Sequence, residues 1–149
     1  MGGMMESTVV IERPLDEVFG FLLDLEKNIR SVDADIESVE KTPEGPIAAG
    51  TTFWLSRNAR GRHREFTRYT RIEPNRKIEF EARFGPVAPT GSLTFEQDNG
   101  GTRVTFRGDP NPVGPFKLIS PLIARKGQNM WDKRLARIKA ILEAPGSRG

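Results

Sequence analysis

Between Lys77 and Phe84 every second residue is apolar: Ile78, Phe80, Ala82 and Phe84 alternate with Glu79, Glu81 and Arg83. A period of two is the period of a β-strand, so one face of this segment is buried and the other is wet. The pattern recurs downstream. Gly91 to Gln97 sets Leu93 and Phe95 inward, and Thr102 to Arg107 does the same with Val104 and Phe106. Asp98-Asn99-Gly100-Gly101 lies between these two segments, and Asn-Gly readily takes the positive φ angles of a type I′ turn. Half-buried strands joined by tight turns form an antiparallel meander, which needs a cover over its apolar face.

Only one segment is long enough to be that cover. Residues 121–143 read as a helix with Leu122, Ile123, Met130, Leu135, Ile138, Ile141 and Leu142 on its apolar face. Arg125, Lys126, Lys133, Arg134, Arg137 and Lys139 form the rest of its surface, and Ser120-Pro121 suits its start. Upstream, Glu6 to Glu12 is a short β-branched strand that Arg13-Pro14 ends. A helix follows to about Asp24, and Leu25 to Val32 reads as a second short one. Ile36 to Thr42, Thr51 to Arg57 and Arg62 to Ile72 are further strands, separated by Gly- or Pro-containing turns. The expected fold class is α+β: a curved antiparallel sheet of about seven strands around a long C-terminal helix, with one or two short helices after strand 1. The expectation is one domain over residues 1–149, its ordered core about 6–143.

Composition narrows the function classes. The 149 residues contain no cysteine, which excludes disulfides and thiolate metal sites. No apolar run approaches the roughly 18 residues of a membrane span, and MGGMMEST lacks a signal-peptide core, so a cytoplasmic protein is expected. Charge is uneven: residues 1–50 carry a net −7, residues 51–100 a net +3 and residues 101–149 a net +7. Mutual attraction of the two ends explains that asymmetry; a basic surface for an acidic partner is the sharper alternative.

Four stretches resemble the START-like, or Bet v 1-like (SRPBCC), superfamily, and most of all its polyketide cyclase/dehydrase and lipid-transport group. They are Val10 to Pro14 followed by Glu17 to Asp24; Gly50-Thr51-Thr52-Phe53; Ile72 to Phe80; and Gly101 to Thr105 with Pro121-Leu122 and Leu142-Glu143. Their order and spacing span about residues 8–143. The resemblance implies the helix-grip fold and a space between sheet and helix. It does not select among binders, transporters and cyclases.

Motifs for other chemistry are missing. His63, the one histidine, sits among arginines near a hairpin tip and reads as a solvated residue. Without a second His or any Cys, no metal site is expected, and without G-x-G-x-x-G or a Walker sequence no cofactor is expected. Arg57, Arg60, Arg62, Arg64, Arg68 and Arg71 read as wet-face charges, so no nucleic-acid partner is expected.

The inward apolar residues are the informative set. Phe53, Leu55, Phe80, Phe84, Leu93, Phe95, Phe106 and Met130, with Tyr69, are the candidate ligand-binding residues, against the alternative of a filled core. The side-chain parity of residues 62–72 stays open: either Thr67 and Tyr69 point inward, or Phe66, Arg68 and Thr70 do, and a bulge would let both contribute. Tyr69 and Arg68 are therefore the candidate catalytic residues. Gln128, Asn129 and Trp131 are expected at the pocket border, and Trp54 on the outer face or an interface. The favoured function is binding or carrying a small apolar ligand such as a lipid, polyketide or aromatic metabolite, as a monomer or weak homodimer. A polyketide cyclase or dehydratase and a protein-interaction module are the alternatives.

Overall fold

The computed structural model describes residues 4–145. Seven strands form one antiparallel sheet: β1 (Met5–Ile11), β2 (Ile36–Thr42), β3 (Thr52–Asn58), β4 (Arg62–Glu73), β5 (Lys77–Arg83), β6 (Thr90–Asp98) and β7 (Gly101–Asp109). Their spatial order is β1-β7-β6-β5-β4-β3-β2. β2 to β7 are thus a plain meander. Helices α1 (Leu15–Leu23) and α2 (Leu25–Val32) carry the chain from β1 on one edge to β2 on the other. A 3₁₀ turn (Gly114–Ile119) leads into α3 (Ser120–Glu143). This is the expected α+β helix-grip arrangement, with both short helices present.

Local chemistry places the turns and breaks. Asn99 and Gly100 take φ of 51° and 87° between β6 and β7, as the Asn-Gly pair requires. Pro14 precedes α1, and Asp16 and Glu17 lie in its first turn, where carboxylates complement the helix start. The Asp24 side chain accepts from the Lys27 N–H at 3.1 Å and starts α2.

α3 crosses the inner face of the sheet and is fastened to β1. The backbone N–H of Glu6 donates to Gln128 Oε1 (2.8 Å), whose amide nitrogen donates back to Glu6 O. Ser7 Oγ donates to Asp132 (2.6 Å), Lys139 Nζ to Val10 O (2.6 Å), and Glu12 N–H to Glu143 (2.7 Å). Leu135, Ile138 and Leu142, on a neighbouring stripe of the helix, are buried against the core.

Two glycines shape the inner face. Gly91 and Gly108 are direct cross-strand partners in β6 and β7. A Cβ on Gly91 would lie 2.9 Å from both Phe80 Cζ and Phe106 Cε1, and one on Gly108 would lie 2.6 Å from Phe106 Cζ and 2.8 Å from Thr90 O. The missing side chains let both rings lie down on the sheet. Phe106 then stacks on Trp131 of α3, with centroids 3.9 Å apart and planes at 9°. Gly108→Ala must displace Phe106 or bend β7, and we expect it to destabilise the protein by roughly 1–3 kcal/mol in urea unfolding. An unchanged midpoint would show that the glycine pair is incidental to the stack.

Candidate functional site

Between α3 and the inner face of β3 to β7 lies a pocket of about 460 Å³. Leu55, Tyr69, Phe80, Ala82, Leu93 and Phe106 form its sheet side; Phe21, Leu22, Ile29 and Val32 of α1 and α2 close one end. Ile123, Lys126, Met130, Trp131 and Arg134 of α3 form the opposite wall, and Phe84, Val87 and Pro89 between β5 and β6 complete the rim. Lys126 and Met130 are also solvent-exposed, which puts the mouth beside the first turns of α3.

One end of this apolar pocket is charged. The Arg57 guanidinium of β3 donates from Nε and NH2 to the two oxygens of Glu65 on β4 (2.8 and 3.1 Å), and from NH1 to Asp33 after α2 (2.7 Å). Glu65 is only 7% exposed, and the bidentate pairing offsets the cost of burying its carboxylate. Arg134 of α3 approaches the same Asp33 oxygen at 3.6 Å, and its guanidinium lies 4.8 Å over the Trp131 ring. Burial works against the charge of Arg57, but its bonds to Glu65 and Asp33 outweigh this and raise its pKa. Arg134 has no such hydrogen bonds, and burial lowers its pKa, with the Asp33 charge opposing. Both remain guanidinium ions at neutral pH. The four groups sum to zero charge. Arg57, Glu65 and Arg134 face the pocket, and Arg134 keeps donors that no protein group within hydrogen-bond distance takes up among the described residues.

The expected site residues fall into three groups. Leu55, Tyr69, Phe80, Phe84, Leu93, Phe106 and Met130 line the pocket. Phe53 and Phe95 point inward but lie behind its wall: Phe53 is wholly buried, edge-on to Tyr69 at 5.2 Å, and Phe95 meets Phe19 of α1 at 5.1 Å. Arg68 is a correction. It lies on the outer face, with Nε donating to Thr52 Oγ1 (3.1 Å), an ion pair to Glu81 (3.5 Å) and its guanidinium over Phe66. β4 takes the parity that turns Glu65, Thr67 and Tyr69 inward; a register slip between Tyr69 and Arg71 then lets Ile72, opposite the buried Ile78, face the core as well.

Tyr69 presents its ring to the pocket, but its hydroxyl donates to the last carbonyls of α1, Leu23 O at 2.7 Å and Leu22 O at 3.3 Å. Burial, and secondarily the charge of Asp24, pushes this phenol above its ordinary pKa, so it stays a neutral donor. Gln128 is occupied by β1, Trp131 is on the wall, and Asn129 is an exposed residue of α3. Trp54 lies on the outer face, its indole N–H donating to Thr42 Oγ1 and its ring tilted against Phe66. His63 is exposed at the β3–β4 hairpin.

The charged end has a sequence signal. Arg57 follows Phe53 and Leu55 at steps of two and so shares their face, and Glu65 stands in the same relation to Thr67 and Tyr69. Among the described residues, no three His, Asp or Glu side chains gather as a metal site would require, and no helix is long and apolar enough to cross a membrane.

A family model described as polyketide cyclase / dehydrase and lipid transport matches residues 4–143. No curated protein matches. Among solved structures, Ara h 8.0201 superposes with a TM-score of 0.70 at 14% identity, covering 91% of this chain and 96% of that one. TTHA0849 from Thermus thermophilus gives a TM-score of 0.70 at 20% identity, covering 91% and 94%. StfQ, a di-domain ARO/CYC from the steffimycin biosynthetic pathway, gives 0.76 at 14% identity, with 92% of this chain against 49% of that one. At these identities the likeness is one of fold.

Arg57→Met would strand Glu65 in a nearly closed site. We expect a loss of about 2–4 kcal/mol in urea unfolding, the lower part of the range reflecting contact with the pocket. Arg57→Met/Glu65→Met should recover more than half of it, and a double variant as unstable as the single would show that the pairing is not what Glu65 needs.

Proposed function

The chain belongs to the polyketide cyclase / dehydrase and lipid transport family, and from that premise we propose that it binds a small, largely apolar molecule in the pocket under α3. The observation that carries this reading is the contrast within the wall. Aromatic and aliphatic side chains surround a space of about 460 Å³; apart from Lys126 at the mouth, the charged lining among the described residues is one cluster at one end, Arg57–Glu65–Arg134 with Asp33 behind it. That is the usual composition of a small-molecule site: an apolar body for affinity and a few polar groups for orientation. Burial of apolar surface contributes about 25 cal/mol per Å² before the costs of association. Arg134 has donors available for an oxygen of the ligand, while Arg57 is already engaged. Because the charges of the cluster balance, it calls for no counter-charge on the ligand. The ligand classes that fit are lipids, polyketides and aromatic metabolites. No cofactor enters this reading, and we place the protein in the cytoplasm as a monomer or weak homodimer.

A catalytic role in the manner of a cyclase or dehydratase is the second reading, and Glu65 is the observation that favours it. A buried carboxylate facing an apolar pocket can take a proton from carbon next to a carbonyl, with an arginine beside it to stabilise the resulting oxyanion. StfQ, which shares the fold, is described as an ARO/CYC. Tyr69, whose proton is committed to α1, serves this chemistry less well than Glu65. On this reading Glu65→Gln lowers turnover of a substrate recovered from the pocket by roughly 100-fold or more, with binding little changed. Unaltered turnover would remove Glu65 from the chemistry.

Binding itself is testable with Nile red. Trp131 lies on the pocket wall and Trp54 on the outer face, so quenching of tryptophan emission by the dye should survive Trp54→Phe and vanish in Trp131→Phe. Ala82→Phe projects a ring into the pocket from β5 and should weaken the dye by about tenfold or more. Full-strength binding to a well-folded Ala82→Phe protein would place the dye elsewhere and count against the pocket.

A further inference from the structure

The densest exposed apolar patch lies where the 3₁₀ turn meets α3. Leu118 is 87% exposed, Leu122 54%, Ile119 44% and Phe116 42%. The four fall within seven residues, and Phe116 and Ile119, Ile119 and Leu122, and Leu118 and Leu122 stand three or four residues apart, the spacing at which helical side chains are neighbours. Lys117, Arg125 and Lys126 stand among and beside them, exposed and without an ion pair among the described residues. From Pro110 to Trp131 the chain carries no acidic residue at all. Elsewhere on this protein exposed arginines and lysines are repeatedly paired with carboxylates, as in Arg107–Glu6 and Arg103–Asp98. This region therefore combines unpaired positive charge with bare aliphatic and aromatic surface, and it borders the pocket mouth at Ile123, Lys126 and Met130.

We propose that this patch docks on an anionic lipid surface, Leu118 and Leu122 entering the interface while Lys117, Arg125 and Lys126 meet the headgroups. Apolar side chains at the tip with lysine and arginine around them are what an interfacial helix uses, and each basic residue adds to its hold on an anionic leaflet. Charge decides against a second copy of the chain as the occupant. A two-fold contact through this patch would set its unpaired cations against their own symmetry mates. Docking in this pose turns the pocket mouth toward the lipid, so an apolar molecule could pass between them without crossing water. The docking is independent of what the pocket holds.

The test is co-sedimentation of the full chain, with no ligand added, on vesicles of phosphatidylcholine with phosphatidylglycerol and on vesicles of phosphatidylcholine alone. Binding to the anionic vesicles is expected, falling as salt is raised. Leu118→Glu/Leu122→Glu should weaken it by about tenfold or more and Lys117→Glu by a few-fold, with unfolding midpoints unchanged because these side chains are exposed. Leu118→Ser provides the same reading should the double variant fold poorly. Equal binding to both vesicle types, or anionic binding that the leucine variants leave intact, overturns the proposal. So does a dimer in sedimentation velocity that the double variant dissociates while vesicle binding is absent.

Discussion

Side chains of α3 occupy the open edge of β1. A sheet edge presents unpaired N–H and C=O groups, and here they are taken up by Gln128, Lys139 and Glu143, while Asp132 holds Ser7 beside them. These positions are spaced along one stripe of the helix, next to the stripe of Leu135, Ile138 and Leu142 that enters the core. Edge capping and core burial thus fix the helix in rotation and in register together. A helix held this way lies close to β1 and stands off from the strands farther across the sheet. The space left over those strands is the pocket.

Two further devices keep that space from collapsing. The Gly91–Gly108 pair lets Phe80 and Phe106 lie flat, so the stack with Trp131 fills the side nearest β1 and leaves the rest open. At the other side the Arg57–Glu65–Asp33–Arg134 cluster joins β3, β4, the end of α2 and α3. Charged groups of this kind stabilise weakly against an apolar replacement, because desolvation offsets most of the attraction. Arg57, Glu65 and Arg134 bear that cost where they line the pocket.

Much of this can be read from the residues alone, and the limits are physical. The alternation from Lys77 to Phe84 and the Asn99-Gly100 turn define strands and a hairpin whatever surrounds them, because period and φ are local properties. Parity says which face a side chain takes but not how deep it lies. That is why parity alone puts Phe53 and Phe95 on the pocket, whereas they sit behind its wall. The 62–72 segment resists such a reading because the register slip after Tyr69 changes parity within one strand, so Tyr69 and Ile72 both turn inward three residues apart. Leu122 belongs by spacing to the apolar face of α3, yet it lies in the first turn, where it is 54% exposed. Arg57 and Glu65 are legible by parity, but their charge argues for the wet face. Only their mutual bidentate pairing makes the inward position tenable.

The central claim is that a small molecule occupies the interior space under α3. Native mass spectrometry of the protein isolated from its own cells tests this most directly. The expected result is a chain carrying one small, largely apolar molecule, released on stronger activation. A bare chain under the gentlest conditions, from cells in which the protein is abundant, would contradict it.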